Sequence, residues 1–255
     1  MVAMLGADER NRAAAFHFAA DRASYIAGHW LLRRMLTDLA GECLPFQWRF
    51  GASRFGKPEL APGQTSVDLR FNLSHARGMA VAAVGIDVDV GVDVEALDRQ
   101  VTDELAIADS YFCRSESVYL HGIDNPAQRK RAFIDLWTAK EALVKADGRG
   151  MSLPLDSFSV DLQRCGDDSA RLARVDGRNW SLRRWQVGQH VVALAIGSGQ
   201  SGKSVPVDGC TPVSLDGDLD AHAAKPGIPG NPGTLSRLSF LAASAGSRPW
   251  SSHDC

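Results

Sequence analysis

The sequence has no paired-cysteine framework. Its five cysteines (Cys43, Cys113, Cys165, Cys210, Cys255) are scattered, odd in number and without CxxC spacing. This argues against a disulfide scaffold or a zinc site, and for a reducing compartment. A basic excess is missing too: 28 Lys and Arg against 30 Asp and Glu give a formal charge of -2. Nucleic-acid and membrane-surface binders usually carry a strong positive balance. The stretch from Met1 to Arg12 places acids and arginines where a secretion signal needs an apolar segment. No apolar run reaches the length of a membrane span. The expectation is a cytoplasmic protein that binds neither nucleic acid nor membrane. At 255 residues and 45% apolar, the chain can form one large domain or two small ones around a real core.

What the chain does have is centred on Phe133 to Met151, FIDLWTAKEALVKADGRGM. Its first two thirds lack Gly and Pro and carry apolar residues at helical spacing. Phe133, Leu136, Trp137, Leu143 and Val144 fall on one arc, with Lys140 inside it. Trp137, Glu141 and Lys145 rise along the edge of that arc, one turn apart. Charges bordering a core-facing arc need partners, and phosphate or metal would serve. An amphipathic helix with a Glu-to-Lys pair and a snorkelling lysine accounts for the same pattern. Gly148 stops the helix and opens a basic loop.

Upstream, Asp8 to Leu39 reads as a long helical region of two helices or one bent one, closed by Gly41. Gln47 to Phe50 reads as a strand. Ser53 to Pro58 forms a turn with two cations around Gly56, suited to close approach of a ligand. Asp68 to Leu73 is a strand running into Asn72-Leu73-Ser74-His75, and Gly78 to Val84 is a buried strand. From Asp87 to Glu95 acids alternate with valines, the pattern of a strand with one buried face. Asp93 and Glu95 point the same way and can share a hard cation such as Mg2+; a solvated acidic edge strand has the same sequence. Beyond these, Val101 to Tyr111 is helical and Ser115 reads as the N-cap of a helix ending near His121. Asn125-Pro126 restarts the chain. Phe158 to Leu162, Asn179 to Val187 and His190 to Ile196 are strand-like. The small apolar strands before Gly85 and Gly197 echo one another. Two similar halves facing each other would place a ligand in the cleft between them. From 198 to 255, Gly, Ser, Pro and Asp dominate. This reads as a mostly disordered, dispensable tail in which only Leu235 to Ala243 keeps an apolar character.

Gly91-Val-Asp-Val-Glu95 followed by Trp137-Thr-Ala-Lys-Glu-Ala-Leu-Val-Lys145 resembles the paired signature of 4'-phosphopantetheinyl transferases. Supporting matches are Arg54-Phe-Gly-Lys-Pro58, Asn72-Leu-Ser-His75, Phe112 with Glu116, and Gly148 to Asp156. The length and the two halves are similar to the monomeric, surfactin-synthetase-activating type. That resemblance implies an α+β fold of two α/β half-domains with pseudo-twofold symmetry, here 1–96 and 97–197. It implies transfer of the phosphopantetheine arm of coenzyme A to a serine of an apo acyl or peptidyl carrier protein, releasing adenosine 3',5'-bisphosphate. By the same resemblance Asp93, Glu95 and Glu141 hold Mg2+ on the pyrophosphate. Glu141 is also the general base, directly or through a bound water, and Lys145 neutralises a phosphate oxygen with Lys140 in support. His75, with Ser74, binds the CoA phosphates. Lys57 and Pro58 form the loop beside adenine and ribose, with Arg54 in the same motif. Arg12 and Arg22 fall near the cations for the 3'-phosphate. Gly85-Ile-Asp-Val-Asp89 mimics the metal motif six residues early, and makes Asp87 the alternative ligand.

Overall fold

Asn125 opens the long central helix. Its Oδ1 accepts the N–H groups of Ala127 and Gln128, and Pro126 takes the first helical position, where no N–H is needed. In the computed structural model, which describes residues 1–160, 171–197 and 238–244 (the last stretch by backbone alone), this helix is α5 (Pro126–Asp147). It ends at Gly148, whose φ of 87° is the left-handed cap that glycine adopts without strain. The expected arc buries Phe133, Leu136 and Leu143 among Phe112, Leu120, Phe158 and Trp180.

The first half is built on α1 (Ala7–Ala14) and α2 (Ala19–Ala40), two helices as the sequence allowed, with Gly41 ending the second at φ 67°. Against α2 lies an antiparallel sheet of β3 (Leu69–Ala76), β4 (Met79–Ile86) and β9 (Leu238–Ser244), in the order β3-β4-β9. Trp30, Leu31, Leu36, Trp48 and Phe71 fill the space between. A short hairpin, β1 (Phe50–Ala52) with β2 (Pro58–Leu60), lies beside β3.

The second half repeats the scheme. Four antiparallel strands, β5 (Val90–Ala96), β6 (Arg171–Val175), β7 (Arg178–Val187) and β8 (His190–Gly197), run in the order β5-β8-β7-β6. The helix α5 packs on β5 and β8, and α3 (Glu104–Tyr111) and α4 (Arg114–His121) pack beside it. The two sheets meet through a third apolar cluster that joins Met79, Val81 and Ala83 to Val90, Val92, Val94, Val192 and Leu194. Each half therefore places a long helix on one face of its sheet and gives the other face to a shared seam. These are the two similar α/β halves the sequence pattern suggested. Although β5 precedes the expected boundary at 96, it is hydrogen-bonded into the second sheet, Asp93 opposite Ala193.

Several local readings are corrected. Gln47 ends a 3-10 turn (Pro45–Gln47), and the strand begins only at Phe50. The alternating acidic stretch is not one strand from Asp87: that residue has φ 57°, the chain turns there, and β5 starts at Val90. Nor is β5 a solvated edge, since it lies against β3 and α5. Cys113, not Ser115, is the N-cap of α4, with Glu116 accepting its N–H. Phe158 to Val160 is not strand, and the rest of that expected strand lies outside the described residues. The tail is corrected in one place: Leu238–Ser244 is a strand in register along β4, from Gly85↔Leu238 to Met79↔Ser244. The remainder of the expected tail lies outside the described residues.

Candidate functional site

The site begins at Gly91. A Cβ there would lie 2.2 Å from the carbonyl oxygen of Ala142 and 2.2 Å from the amide nitrogen of Ala146. Only glycine therefore lets the backbone of α5 rest directly on β5. Two residues on, the same face of β5 presents Asp93 to the next side chain up the helix. Lys145 Nζ stands 2.6 Å from Asp93 Oδ1, and Ser74 of β3 donates its hydroxyl to the same oxygen at 2.9 Å. Lys145 also reaches Ser74 Oγ at 2.9 Å. Ser74 is a buried strand residue linking the two halves. Two residues further, Glu95 is paired with Arg99 and accepts a hydrogen bond from Trp137.

A cavity of about 720 Å³ joins these groups. Asp93 and Glu95 from β5, Trp137, Glu141 and Lys145 from α5, and Ser74 and His75 from β3 all line it. The ladder of Trp137, Glu141 and Lys145 therefore faces the alternating acids of β5. Burial, reinforced by the nearby Asp93, pushes the carboxyls of Glu95 and Glu141 above the usual range. Burial and then Lys145 push the His75 imidazole down. Asp93 Oδ2 is buried with no hydrogen-bond partner, an orphan acceptor that calls for a cation or donor. Among the described residues no three His, Cys, Asp or Glu side chains are already gathered around one point; Lys145 holds Asp93 and Arg99 holds Glu95.

Residues 89–195, which carry both motif strands and α5, match the family model described as the 4'-phosphopantetheinyl transferase superfamily. A 4'-phosphopantetheinyl transferase of Bacillus subtilis is 33% identical over 172 residues, 68% of this chain and 73% of that protein. The chain belongs to the 4'-phosphopantetheinyl transferase superfamily. The 4'-phosphopantetheinyl transferase HetI of Nostoc is 34% identical over 152 residues, 60% of this chain and 63% of its own length. Transferase psf-1 of Bacillus pumilus is 34% identical over 167 residues, covering 65% and 67%. Transfer of phosphopantetheine from coenzyme A to a carrier protein is thus the general activity of the chain. Among the described residues no helix is long and apolar enough to cross a membrane.

Not every residue singled out in the sequence reaches this cavity. Lys140 is fully buried and turned away: its ammonium pairs with Glu116 at 2.7 Å and donates to the carbonyls of Leu155 and Phe158, each at 2.7 Å. The expected support for phosphate is replaced by a structural tie between α5, the start of α4 and the loop after α5. Lys57 donates to the carbonyls of Val90 at 3.2 Å and Ala146 at 2.9 Å. It pins its turn to both β5 and the end of α5. Lys57 and Pro58 line an adjoining, mostly apolar cavity of about 890 Å³ that shares Trp137, Glu141 and Lys145 with the first. Arg54, stacked on Phe55 at 4.5 Å, lines a third cavity of about 800 Å³ with Arg70, Arg149 and Arg178. Arg12 and Arg22 are exposed on α1 and α2 and line none of these cavities, although Arg12 is near enough to act on the charge of His75. The alternative ligand Asp87 is exposed on its turn, outside the acid cavity. Its neighbour Asp89 pairs with Arg70 at 2.5 Å and Arg178 at 2.6 Å.

The contact made by Asn72, within the motif Asn72 to His75, and the place of Arg99 are not legible in the sequence. Asn72 accepts the N–H of Val92 at 2.9 Å and so joins β3 to the outer edge of β5. Arg99 caps the acid cluster; its only signal was its place four residues after Glu95.

Proposed function

We propose that Asp93, Glu95 and Glu141 hold Mg2+ against the pyrophosphate of coenzyme A, and that Glu141 is the general base. The observation that carries this reading is that three carboxylates line one cavity, one with a buried, unpartnered oxygen and two pushed up by burial and then by Asp93. Mg2+ takes few protein carboxylates and keeps several waters, so three acids suffice. Bound there, the ion would neutralise charge that builds on the phosphate oxygens.

The chain's own residues supply the remainder. Lys145 stands at Asp93 with an ammonium placed to contact a phosphate oxygen, and Ser74 fixes the Asp93 carboxylate that would orient it. His75, exposed at the same mouth, offers a ring N–H to phosphate, with Arg12 adding positive potential. The carrier serine hydroxyl attacks the pantetheine-linked phosphorus, and its proton passes to Glu141. The bond to the bridging oxygen breaks, and adenosine 3',5'-bisphosphate leaves. Lys57 and Pro58 shape the adjoining cavity for the rest of coenzyme A, and Arg54 lines the third cavity beside them.

The two joined halves in one chain support the surfactin-synthetase-activating type and a monomer, acting on apo acyl or peptidyl carrier proteins in the cytoplasm. Calorimetry tests the ligand set. Coenzyme A should bind the wild type more tightly with Mg2+ than without it. Asp93→Asn should abolish that difference; a Mg2+ effect unchanged in Asp93→Asn contradicts the assignment.

A further inference from the structure

The acid cluster carries its own counter-ions. Lys145 neutralises Asp93 from a rigid helix and is held by a second bond to Ser74. Arg99 neutralises Glu95 from a different kind of place, the turn just after β5, where its N–H closes on the carbonyl of Ala96 at 3.0 Å. Its guanidinium pairs with Glu95 and lies over the Trp137 ring, 5.1 Å from the centroid. It lines the same cavity as Asp93 and Glu141. The Arg99 side chain is 37% exposed and that of Glu95 20%, so the arginine can leave into solvent without breaking a sheet bond.

We propose that Arg99 is a resident counter-cation which a divalent ion must displace from Glu95, so that it sets how tightly the site takes metal before coenzyme A arrives. The proposal rests on the reading that these carboxylates hold a metal. Two cations against three carboxylates leave the metal-free cavity nearly balanced, and like charges packed without such partners would repel strongly. Arg99 acts through Glu95 as a positioning residue. The guanidinium and a divalent ion compete for the same carboxylate, and the indole under the guanidinium reports which one is there.

The test is Mn2+ binding to the full chain, followed by electron paramagnetic resonance, together with Mg2+ titration of tryptophan emission. Arg99→Met should bind Mn2+ about tenfold more tightly than the wild type. Arg77→Met, which removes an equal charge lining the same cavity but paired with Asp98, should change binding by less than about twofold. Mg2+ should shift the emission of the wild type as the guanidinium leaves the indole. That shift should vanish in Arg99→Met and in Trp137→Phe. Equal Mn2+ affinity in wild type and Arg99→Met, equal tightening by Arg77→Met, or an unaltered emission shift in Arg99→Met overturns the role of Arg99 alone, provided Asp93→Asn abolishes binding. Mn2+ binding that is absent from the wild type, or indifferent to Asp93→Asn, sinks the metal reading and the proposal with it.

Discussion

Gly91 and Ala146 meet backbone to backbone. No side chain at 91 could be accommodated, because the obstacle is the main chain of a helix rather than the end of a flexible residue. This contact sets the height of Glu141 and Lys145 above β5 and hence their approach to Asp93. Gly91→Ala should cost about 3 kcal/mol in urea denaturation, at the upper end of overpacking penalties. It should lower kcat as well as stability, since the displaced helix carries two site residues. A variant as stable and as active as the wild type would show that the contact does not position the site.

Much of this was legible from local chemistry. The caps at Gly41, Asn125 and Gly148 follow from what each residue type can do at a helix end. The acids of β5 and the edge of α5 were visible through their periods. What could not be read was long-range. The period of α5 places Lys140 inside an apolar arc, but its partner Glu116 is 24 residues away and belongs to another helix's first turn. The stretch from Asp87 to Asp89 alternates as well as any strand, yet the chain reverses there, with Asp87 in the left-handed region. Sheet pairing overrode composition at Leu238–Ser244, a short apolar stretch surrounded by Gly and Ser that nonetheless pairs with β4.

The buried Lys140–Glu116 pair gives a second prediction. Lys140→Met leaves Glu116 buried without its cation and should cost about 4 kcal/mol. Adding Glu116→Gln should return more than half of that loss. Thermal and urea unfolding of the two single variants and the double variant measure the coupling; additive losses would contradict a direct pair.

The strand β9 gives a third. A chain ending at Gly197 would leave β4 with one bare edge. The truncated protein should melt about 5 °C lower, and the amides of Met79 to Gly85 that face β9 should exchange faster with solvent. Unchanged exchange along β4 would show that the strand does not stabilise the sheet.

Acid stability is set partly at Glu9. Burial alone would raise its carboxyl, but hydrogen bonds from His29, Arg33 and the Gly6 N–H carry it down to about 2. A carboxyl depressed in the folded state contributes stability above its unfolded value near 4.5, and that contribution fades as pH falls toward about 2. Glu9→Gln should cost about 2 kcal/mol at neutral pH and flatten the loss of stability between those limits. An equally steep acid limb in the variant would show that other carboxylates govern it.

The proposed role of Asp93, Glu95 and Glu141 in the transfer is tested most directly by the intact mass of an apo carrier protein incubated with enzyme, coenzyme A and Mg2+. The wild type should make the carrier heavier by one phosphopantetheine. Glu141→Gln should do so at least about a hundredfold more slowly while still binding coenzyme A. A carrier mass that advances as fast with Glu141→Gln as with the wild type would contradict the account at its centre.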